Sequence, residues 1–187
     1  MLLIDVDGVL SLFGFEPSAP PPGRLALVDG LPHFFSSTAG ALLAGLNDDF
    51  ELTWCTGWEE RAGEHLPLAL GVPAGLGHLS FGPPAPAAAA AGTSGARHWK
   101  LDAIDRHAGP HRPLAWIDDG FDAGCHAWAA DRPGPTLLVA TDPAIGLTAA
   151  HAERLRAWSR GLSAPDRYVE GEAPCLPAPA WKRSMPA

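Results

Sequence analysis

Residues 1–10 of the chain, MLLIDVDGVL, form an apolar run that ends at Asp5 and Asp7, two aspartates separated by one residue. A short, continuous apolar run is typical of a strand that is buried on both faces of a parallel sheet. Because ligands of such sheets bind beyond the carboxyl ends of the strands, the two aspartates are predicted to lie at a functional edge. Gly8 follows them and lets the chain turn away without a side chain that would block that edge.

Strands and helices are predicted to alternate along the chain. Apolar segments predict strands at 1–5, 50–56, 78–81, 113–118 and 135–140. Helical patterns are predicted between them, at 38–46, 58–70, 99–107, 119–130 and 148–160. This alternation forms βαβ units, so the sequence predicts an α/β protein with a five-stranded parallel sheet. Before the first helix, Asp29-Gly30 is a hairpin turn signal and indicates a small two-stranded β-hairpin flap over about 11–35.

The length of 187 residues argues for one domain, which is predicted to span 1–162. Residues 163–187 are Pro-rich and have neither a helical nor a strand period, so they are predicted to be a C-terminal tail. Residues 82–97 are rich in Pro, Ala and Gly and are predicted to form a loop. The sequence leaves the roles of this loop and of the tail open.

The composition argues against several functional classes. The formal net charge of −8 disfavours a simple nucleic-acid-binding module, which is normally basic. Cys55, Cys125 and Cys175 are far apart and form no CxxC pair, so we expect free thiols in a reducing, cytoplasmic environment. No apolar stretch approaches the roughly 20 residues of a membrane span. The strand pattern that starts at Met1 leaves no room for a signal peptide.

Three of the predicted strands end in residues with unusual chemistry. The first strand ends in DVD at 5–7, the second in TG at 56–57 and the fourth in DD at 118–119. Several carboxylates at one edge repel one another unless a cation offsets their charge. Mg²⁺ fits this role, because it prefers hard oxygen ligands and is commonly held by one or two carboxylates together with substrate phosphate. The sequence therefore predicts Mg²⁺ as a cofactor and a phosphorylated substrate.

The side chains at these strand ends suit phosphoryl transfer. Asp5, held at a rigid strand end, can attack phosphorus and form an aspartyl phosphate. Asp7 can protonate the leaving group as a general acid and then activate water as a base. Thr56 offers a hydroxyl to a phosphoryl oxygen, and Lys100, one of two lysines in the chain, offers a compact positive charge. Asp118 would complete the metal site.

Asp119 and Asp122 allow two interpretations. They can orient the metal site through hydrogen bonds from outside it, as a second shell. They can equally be the N-terminal charges of the helix predicted at 119–130, where the helix dipole favours acidic side chains. The sequence does not decide between these interpretations.

These segments together resemble one known superfamily. The sequence DVDGVL at 5–10 looks like the first motif of the haloacid dehalogenase-like (HAD) hydrolases, DxDGx[TV]. The apolar strand that ends at Thr56 resembles the second motif, Lys100 the third, and IDD at 117–119 the fourth. The first motif alone is moderately specific, whereas four motifs in order on predicted strands are strongly so. The resemblance covers residues 1 to about 160.

The resemblance implies a Rossmann-like three-layer sandwich whose sheet order, 5-4-1-2-3, places strands 4, 1 and 2 side by side. It implies that Asp5 is the nucleophile and a metal ligand, and that Asp118 is a metal ligand. It also implies that Asp7 is the acid/base and that its main-chain carbonyl contacts Mg²⁺. The residues implied to hold the phosphate are Thr56, Gly57 and Lys100.

The resemblance also narrows the reaction. The dehalogenase branch lacks the second aspartate that Asp7 supplies here. Val6 stands where the ion-pumping ATPases begin a Lys-Thr-Gly-Thr run. The implied activity is therefore the hydrolysis of phosphate monoesters. A phosphotransferase and a catalytically silent interaction module with the same fold remain as alternatives.

The sequence does not name the substrate. The superfamily selects substrates with cap insertions, and this chain has room only for the flap, so the site is expected to be open. A small phosphorylated molecule, a nucleotide or a phosphorylated nucleic-acid end all remain candidates, whereas no membrane partner is expected. Trp58 and Trp99, next to the second and third motifs, can pack in the core or at the rim, or stack on a substrate base. The oligomeric state stays open.

Overall fold

A computed structural model describes residues 1–82 and 97–163. The strands are β1 (Leu2–Ile4), β2 (Ser11–Leu12), β3 (Gly23–Val28), β4 (Leu31–Ser36), β5 (Leu52–Trp54), β6 (Gly77–His78), β7 (Leu114–Asp118) and β8 (Thr136–Ala140). The helices are α1 (Ala39–Ala44), α2 (Glu60–Leu70), α3 (Leu101–Ala108), α4 (Ala123–Asp131) and α5 (Ala149–Ser163). The predicted α/β class is confirmed. The predicted tail lies outside the described residues, except for Ser163, which ends α5. Most of the predicted loop at 82–97 also lies outside them.

The main sheet is parallel and has five strands in the order β6-β5-β1-β7-β8. Its central strand is β1, which pairs with β5 on one side and with β7 on the other. If the three flap strands are left out, β1, β5, β6, β7 and β8 are strands 1 to 5 in chain order. In these numbers the sheet order, starting from the β8 edge, is 5-4-1-2-3. Residues 5 and 55, which directly follow β1 and β5, therefore lie beside residue 118, the last of β7.

Helices cover both faces of this sheet, and the side chains of β1 alternate between two apolar cores. Leu2 and Ile4 pack in the larger core, which receives side chains from α1, α2 and α5. Leu3 points to the smaller core, which is completed by α3 and by Cys125 of α4. Because every residue of β1 is buried, the strand has no polar position before its carboxyl end. Asp5 is the first charged residue that the chain reaches there.

The flap differs from the prediction, because it is a three-stranded antiparallel sheet and not a two-stranded hairpin. Strands β3 and β4 form the predicted hairpin, with Asp29 and Gly30 at φ of 50° and 80° in the turn. Strand β2 adds to its other side and gives the order β2-β4-β3. The turn at Gly8, whose N–H donates to Ser11 O at 2.7 Å, brings β2 back beside β4. The flap is thereby joined directly to the turn that follows Asp7.

Two smaller features complete the fold. Thr38 occupies the N-cap position of α1, but its side chain makes no capping hydrogen bond, and Ser36 Oγ accepts the N–H of Ala39 at 3.2 Å instead. The third parallel strand was expected at 78–81 and is only the two-residue β6. Within the described parts of the chain, no helix combines the length and the apolar character that a bilayer crossing would need.

Candidate functional site

The register of the main sheet brings the predicted site residues together at one edge. Ile4 lies opposite Trp54 of β5 and Ile117 of β7. Just beyond β1, the N–H of Asp5 donates to Ile117 O at 3.1 Å. Residue 5 is thus flanked by residue 118 on one side and by the segment that leads to residue 56 on the other. Three of the predicted motifs meet at this point.

Lys100 lies at the centre of the site. Its Nζ atom is 2.6 Å from Asp5 Oδ2 and 2.6 Å from Asp118 Oδ2. The residue occupies the N-cap position of α3 and is 3% exposed. A buried ammonium group requires this pairing, because an unpaired charge is costly to remove from water. Lys100 is therefore not a solvated helix side chain.

Main-chain and indole donors fix the two carboxylates that contact Lys100. Asp5 Oδ1 accepts the N–H of Val6 at 2.7 Å. Asp118 Oδ1 accepts the N–H of Gly120 at 2.9 Å, and Asp118 Oδ2 also accepts the indole N–H of Trp116 at 3.0 Å. Each carboxylate oxygen named here has at least one donor. The orientation of both groups is consequently set before any ligand binds.

Burial and charge shift the pKa values of these groups in ways that suit a nucleophile. Burial raises the pKa of Asp5 to about 6, the charge of Lys100 opposes this shift, and that of Asp118 adds to it. Burial alone would lower the pKa of Lys100, but attraction to the two aspartates outweighs it and raises that pKa. Near neutral pH, Asp5 is ionised and Lys100 is protonated. The pair can therefore act as carboxylate and ammonium.

Asp119 joins the site more closely than its predicted second-shell place suggested. Ligand oxygens of Asp5, Asp118 and Asp119 all lie within 4.8 Å of one another. Burial, followed by the charge of Asp118, raises the pKa of Asp119. Gly8 makes this approach possible: its φ is 70°, and a Cβ atom there would lie 2.3 Å from Asp119 Oδ2. Any larger residue at position 8 would collide with the third carboxylate.

The three clustered carboxylates fit a divalent cation. Two of them, Asp5 and Asp118, are buried, and Lys100 supplies one positive charge against three negative ones. Two negative charges remain without compensation in a poorly hydrated place, which favours a bound cation. The donors are hard oxygen atoms with unused lone pairs, the set that Mg²⁺ prefers. The residues present therefore suit the predicted metal, whose identity stays a prediction.

Asp7 differs from this cluster in its environment. Its side chain is 50% exposed, and it is not among the three clustered carboxylates. Asp7 Oδ2 accepts the indole N–H of Trp58 at 2.9 Å, while Asp7 Oδ1 lies 3.8 Å from His33 Nδ1. An accessible carboxyl group beside a buried one is the arrangement expected of an acid/base next to a nucleophile. The predicted contact of its main-chain carbonyl with Mg²⁺ stays a prediction.

The segment after β5 carries the predicted phosphate-binding residues. Thr56 is buried, and its Oγ1 accepts the N–H of Trp58 at 3.4 Å. Gly57 is exposed, and a Cβ atom there would lie 3.8 Å from the ring of Trp99. Both residues follow the strand next to β1, at the same edge as Asp5. Their contacts with phosphate stay predictions.

Asp122 takes the structural role that the sequence left open. It is the N-cap of α4, and its Oδ1 accepts the N–H of Cys125 at 2.8 Å. This hydrogen bond lowers the pKa of Asp122. The observed cap accounts for this residue without a role at the metal site.

Two residues that contact Asp7 were not predicted as partners of it. His33 comes from β4 of the flap, and Trp58 had been weighed only as a packing or stacking residue. Spacing could not have found either contact, because 26 residues separate His33 from Asp7 and 51 separate Trp58 from it. The pairing of β1 with β5 brings Trp58 to Asp7, whereas the folding of the flap brings His33 there. The one indication in the sequence was Trp58 itself, because an indole beside the second motif carries an N–H donor as well as an apolar ring.

No family model matches the chain, and no curated protein matches it. Membership of the HAD superfamily therefore stays a prediction, which depends on the four motifs and on the geometry described above.

Proposed function

We propose that this chain is a Mg²⁺-dependent phosphatase that hydrolyses phosphate monoesters through an aspartyl phosphate on Asp5, on a Rossmann-like domain of the HAD type. The observation that carries the proposal is the buried ammonium of Lys100, which contacts Asp5 and Asp118 at 2.6 Å each. Covalent phosphoryl transfer requires a charged, oriented carboxylate as the nucleophile. It also uses a cation that stabilises the phosphoryl oxygens and a second, accessible carboxyl group that transfers protons.

In the first step, an oxygen of Asp5 attacks phosphorus, and the bond between phosphorus and the ester oxygen breaks. The leaving oxygen takes the bonding electron pair and accepts a proton from Asp7, which acts as a general acid. Lys100 and the hydroxyl of Thr56 stabilise the oxygens of the transferring group. Asp5 now carries the phosphoryl group, and the alcohol leaves.

In the second step, water attacks the phosphorus atom of the aspartyl phosphate. Asp7, which is now a carboxylate, accepts a proton from this water. The bond between phosphorus and Asp5 breaks, inorganic phosphate leaves, and the carboxylate of Asp5 is regenerated. The half-exposed side chain of Asp7 is accessible to the water that this step requires.

The residues that would hold Mg²⁺ are Asp5 and Asp118, with Asp119 close by and the main-chain carbonyl of Asp7 as the further ligand that the resemblance implies. Mg²⁺, when bound, would offset negative charge on the transferring phosphoryl group. Lys100 keeps the two buried carboxylates in place while Mg²⁺ and the substrate bind. Gly8 keeps the space beside Asp119 clear.

For the substrate, we propose a preference for phosphate esters with a flat aromatic group, such as nucleotides. Trp99 is 55% exposed, and its ring lies next to the predicted phosphate-binding residues Gly57 and Lys100. Phe81 packs edge-on against Trp99, at 4.6 Å between ring centroids. Exposed tryptophan faces stack on nucleobases. Trp58, by contrast, is partly buried and hydrogen-bonded, so it is the less suitable stacking partner.

The test is a screen of phosphate monoesters with Mg²⁺, with Ca²⁺ and with excess chelator. We expect turnover with Mg²⁺, little with Ca²⁺, whose larger and looser coordination would misalign in-line attack, and none with chelator. Asp5→Asn should lower kcat by at least about 10⁴-fold. The matched control is Asp102→Asn, at an exposed aspartate of α3, which should leave kcat unchanged.

Two outcomes would contradict the proposal. One is full activity in excess chelator, and the other is an Asp5→Asn protein that keeps wild-type turnover. Added alcohols separate the alternatives: if phosphate appears mainly on the alcohol and not in water, the chain is a phosphotransferase. If no ester is turned over and Mg²⁺ still binds, the silent interaction module is favoured.

A further inference from the structure

The contact between Trp58 and Asp7 is specific in its geometry. Trp58 Nε1 donates to Asp7 Oδ2 at 2.9 Å, across 51 residues of chain. An indole N–H is only a donor, so the oxygen that it contacts must be an acceptor. When Asp7 is protonated, Oδ2 is therefore the carbonyl oxygen, and the proton resides on Oδ1. The indole thus determines which oxygen of the carboxyl group carries the proton.

The surroundings of Trp58 hold its indole in this position. Its ring packs edge-on against His33, at 4.6 Å between centroids, and against Phe35, at 6.5 Å. Its main-chain N–H donates to Thr56 Oγ1 at 3.4 Å. These contacts come from the flap and from the segment after β5. The indole is therefore fixed from two sides.

The backbone next to Trp58 is also constrained. Glu59 has a φ of 49°, in the left-handed region that residues other than glycine rarely adopt. Its Oε1 atom accepts the N–H of Phe81 at 2.8 Å, which holds this unfavourable turn. Backbone strain of this kind persists where the surrounding structure fixes it, and it is concentrated at functional sites. This strained residue directly follows Trp58 in the chain.

We infer that Trp58 is a positioning residue that keeps Asp7 Oδ2 as an acceptor and so presents the proton on Oδ1 to the leaving group. The inference depends on the proposed function, because it requires Asp7 to act as the general acid. During phosphorylation of Asp5, the ester oxygen leaves with its electron pair and takes that proton. The indole then stabilises the carboxylate that remains, until water returns a proton to it in the second step.

This role predicts a dependence on the leaving group. An alkyl alcohol is a weak acid and leaves only with a proton, whereas p-nitrophenol leaves readily as an anion. A poorly oriented Asp7 should therefore slow the first reaction and spare the second. A merely structural defect would slow both reactions alike, since both use the same nucleophile and the same phosphate contacts.

The experiment compares kcat/KM, which covers the phosphorylation of Asp5 but not the later hydrolysis, for an alkyl phosphate and for p-nitrophenyl phosphate in the wild type and its variants. Trp58→Phe keeps a packed ring and removes the N–H. Trp128→Phe is the matched control, because it removes an indole N–H that donates to another aspartate, Asp105, at 3.0 Å. Asp7→Asn sets the full size of the leaving-group effect. Circular dichroism compares the folded fraction of each protein.

We expect Trp58→Phe to lower kcat/KM for the alkyl phosphate about tenfold, the usual scale of one hydrogen bond to a charged group, and to leave kcat/KM for p-nitrophenyl phosphate nearly unaffected. Trp128→Phe should not change the ratio of the two kcat/KM values. Trp58→His, which returns a ring N–H, should recover part of the alkyl phosphate rate and gives a second reading if Trp58→Phe folds poorly.

The outcomes separate the two proposals. Equal losses on both substrates in Trp58→Phe, or the same leaving-group pattern in Trp128→Phe, would overturn the positioning role while the phosphatase stands. Asp7→Asn without any leaving-group dependence would overturn it as well, since Asp7 would then not be the acid. Wild-type activity in Asp5→Asn would instead overturn the proposed function itself.

Discussion

Two cations only three residues apart in the sequence each bridge two aspartates, and they do so in opposite environments. Lys100 contacts Asp5 and Asp118 and is 3% exposed. The Arg97 side chain contacts Asp102 and Asp105 of α3 and is 48% exposed. The arrangement of charges is the same, one cation between two carboxylates. The two arrangements differ in how far along the chain the aspartates lie from the cation, and in how exposed the charged groups are to water.

The partners of Arg97 are local, five and eight residues along the chain, so forming α3 is enough to present them. The partners of Lys100 lie 95 and 18 residues away and meet only when β1 and β7 pair in register. Exposed ion pairs contribute little to stability, whereas buried charges must be paired. We call one cation between two carboxylates an ion triplet. The comparison shows that the contribution of an ion triplet to stability depends on its burial and not on its geometry alone.

The first prediction breaks each triplet in turn. In metal-free protein, Lys100→Ala leaves two buried carboxylates without their cation and should lower the free energy of unfolding by about 3–5 kcal/mol. Arg97→Ala should lower it by less than about 1 kcal/mol, because water and salt already screen that pair. Urea unfolding followed by circular dichroism measures both. Equal losses would show that burial does not separate the two triplets.

The second prediction uses pH to test the buried triplet. Asp5 has a pKa of about 6 in the folded protein, against an ordinary value of 3.8. Between these values the folded state binds more protons than the unfolded state, so this group lowers the free energy of unfolding as pH rises from about 4 to about 6. The ionised carboxylate then costs about 3 kcal/mol at neutral pH. Under the proposed function, this cost is tolerated because the nucleophile must be charged to attack phosphorus.

Asp5→Asn should remove that dependence. We expect the metal-free variant to gain stability over the wild type as pH rises from about 4 to about 6, by up to about 3 kcal/mol, and to hold the gain above pH 6. Urea titrations at several pH values, in chelator, measure the difference. Asp102→Asn in the exposed triplet is the control, with changes below about 1 kcal/mol throughout. A gain that grows toward acid pH would reverse the sign and contradict the account.

The third prediction has the smallest expected effect and concerns the rim beside the buried triplet. Trp99→Ala should weaken a preference for nucleoside monophosphates over small sugar phosphates, since base stacking on an aromatic ring contributes about 1–3 kcal/mol. At the lower end of that range, we expect kcat/KM for nucleotides to fall roughly tenfold. The rate with sugar phosphates should stay the same. A preference that survives the substitution would exclude Trp99 as the stacking surface.

The sequence predicted much of the edge where the site lies. Apolar strands that end in aspartate, as at Asp5 and Asp118, are local patterns whose meaning follows from the parallel sheet. The scarcity of lysine drew attention to Lys100, and the structure gives it two buried partners. Asp119 was placed outside the metal site, since one-dimensional spacing cannot show how closely Gly8 lets it approach.

The parts that sequence could not supply are the ones that depend on long-range packing. The third strand of the flap, β2, is two residues long and pairs only because the turn at Gly8 folds it back. The hydroxyl that accepts the N–H of Ala39, the first residue of α1, belongs to Ser36 at the end of β4 and not to Thr38 at the N-cap position. The contact of Trp58 with Asp7 likewise exists only once β1 pairs with β5.

The most direct test of the central claim is to trap the phosphorylated protein. Asp7→Asn removes acid/base help worth roughly 10²–10⁴-fold, so the phosphoryl group should persist when the protein is quenched in acid after mixing with Mg²⁺ and p-nitrophenyl phosphate. Mass spectrometry should then find one phosphoryl group on the peptide that contains Asp5, released by hydroxylamine as an acyl phosphate would be, and no such adduct on Asp5→Asn. A phosphoryl group on another residue, or the same yield of adduct on Asp5→Asn, would contradict the account.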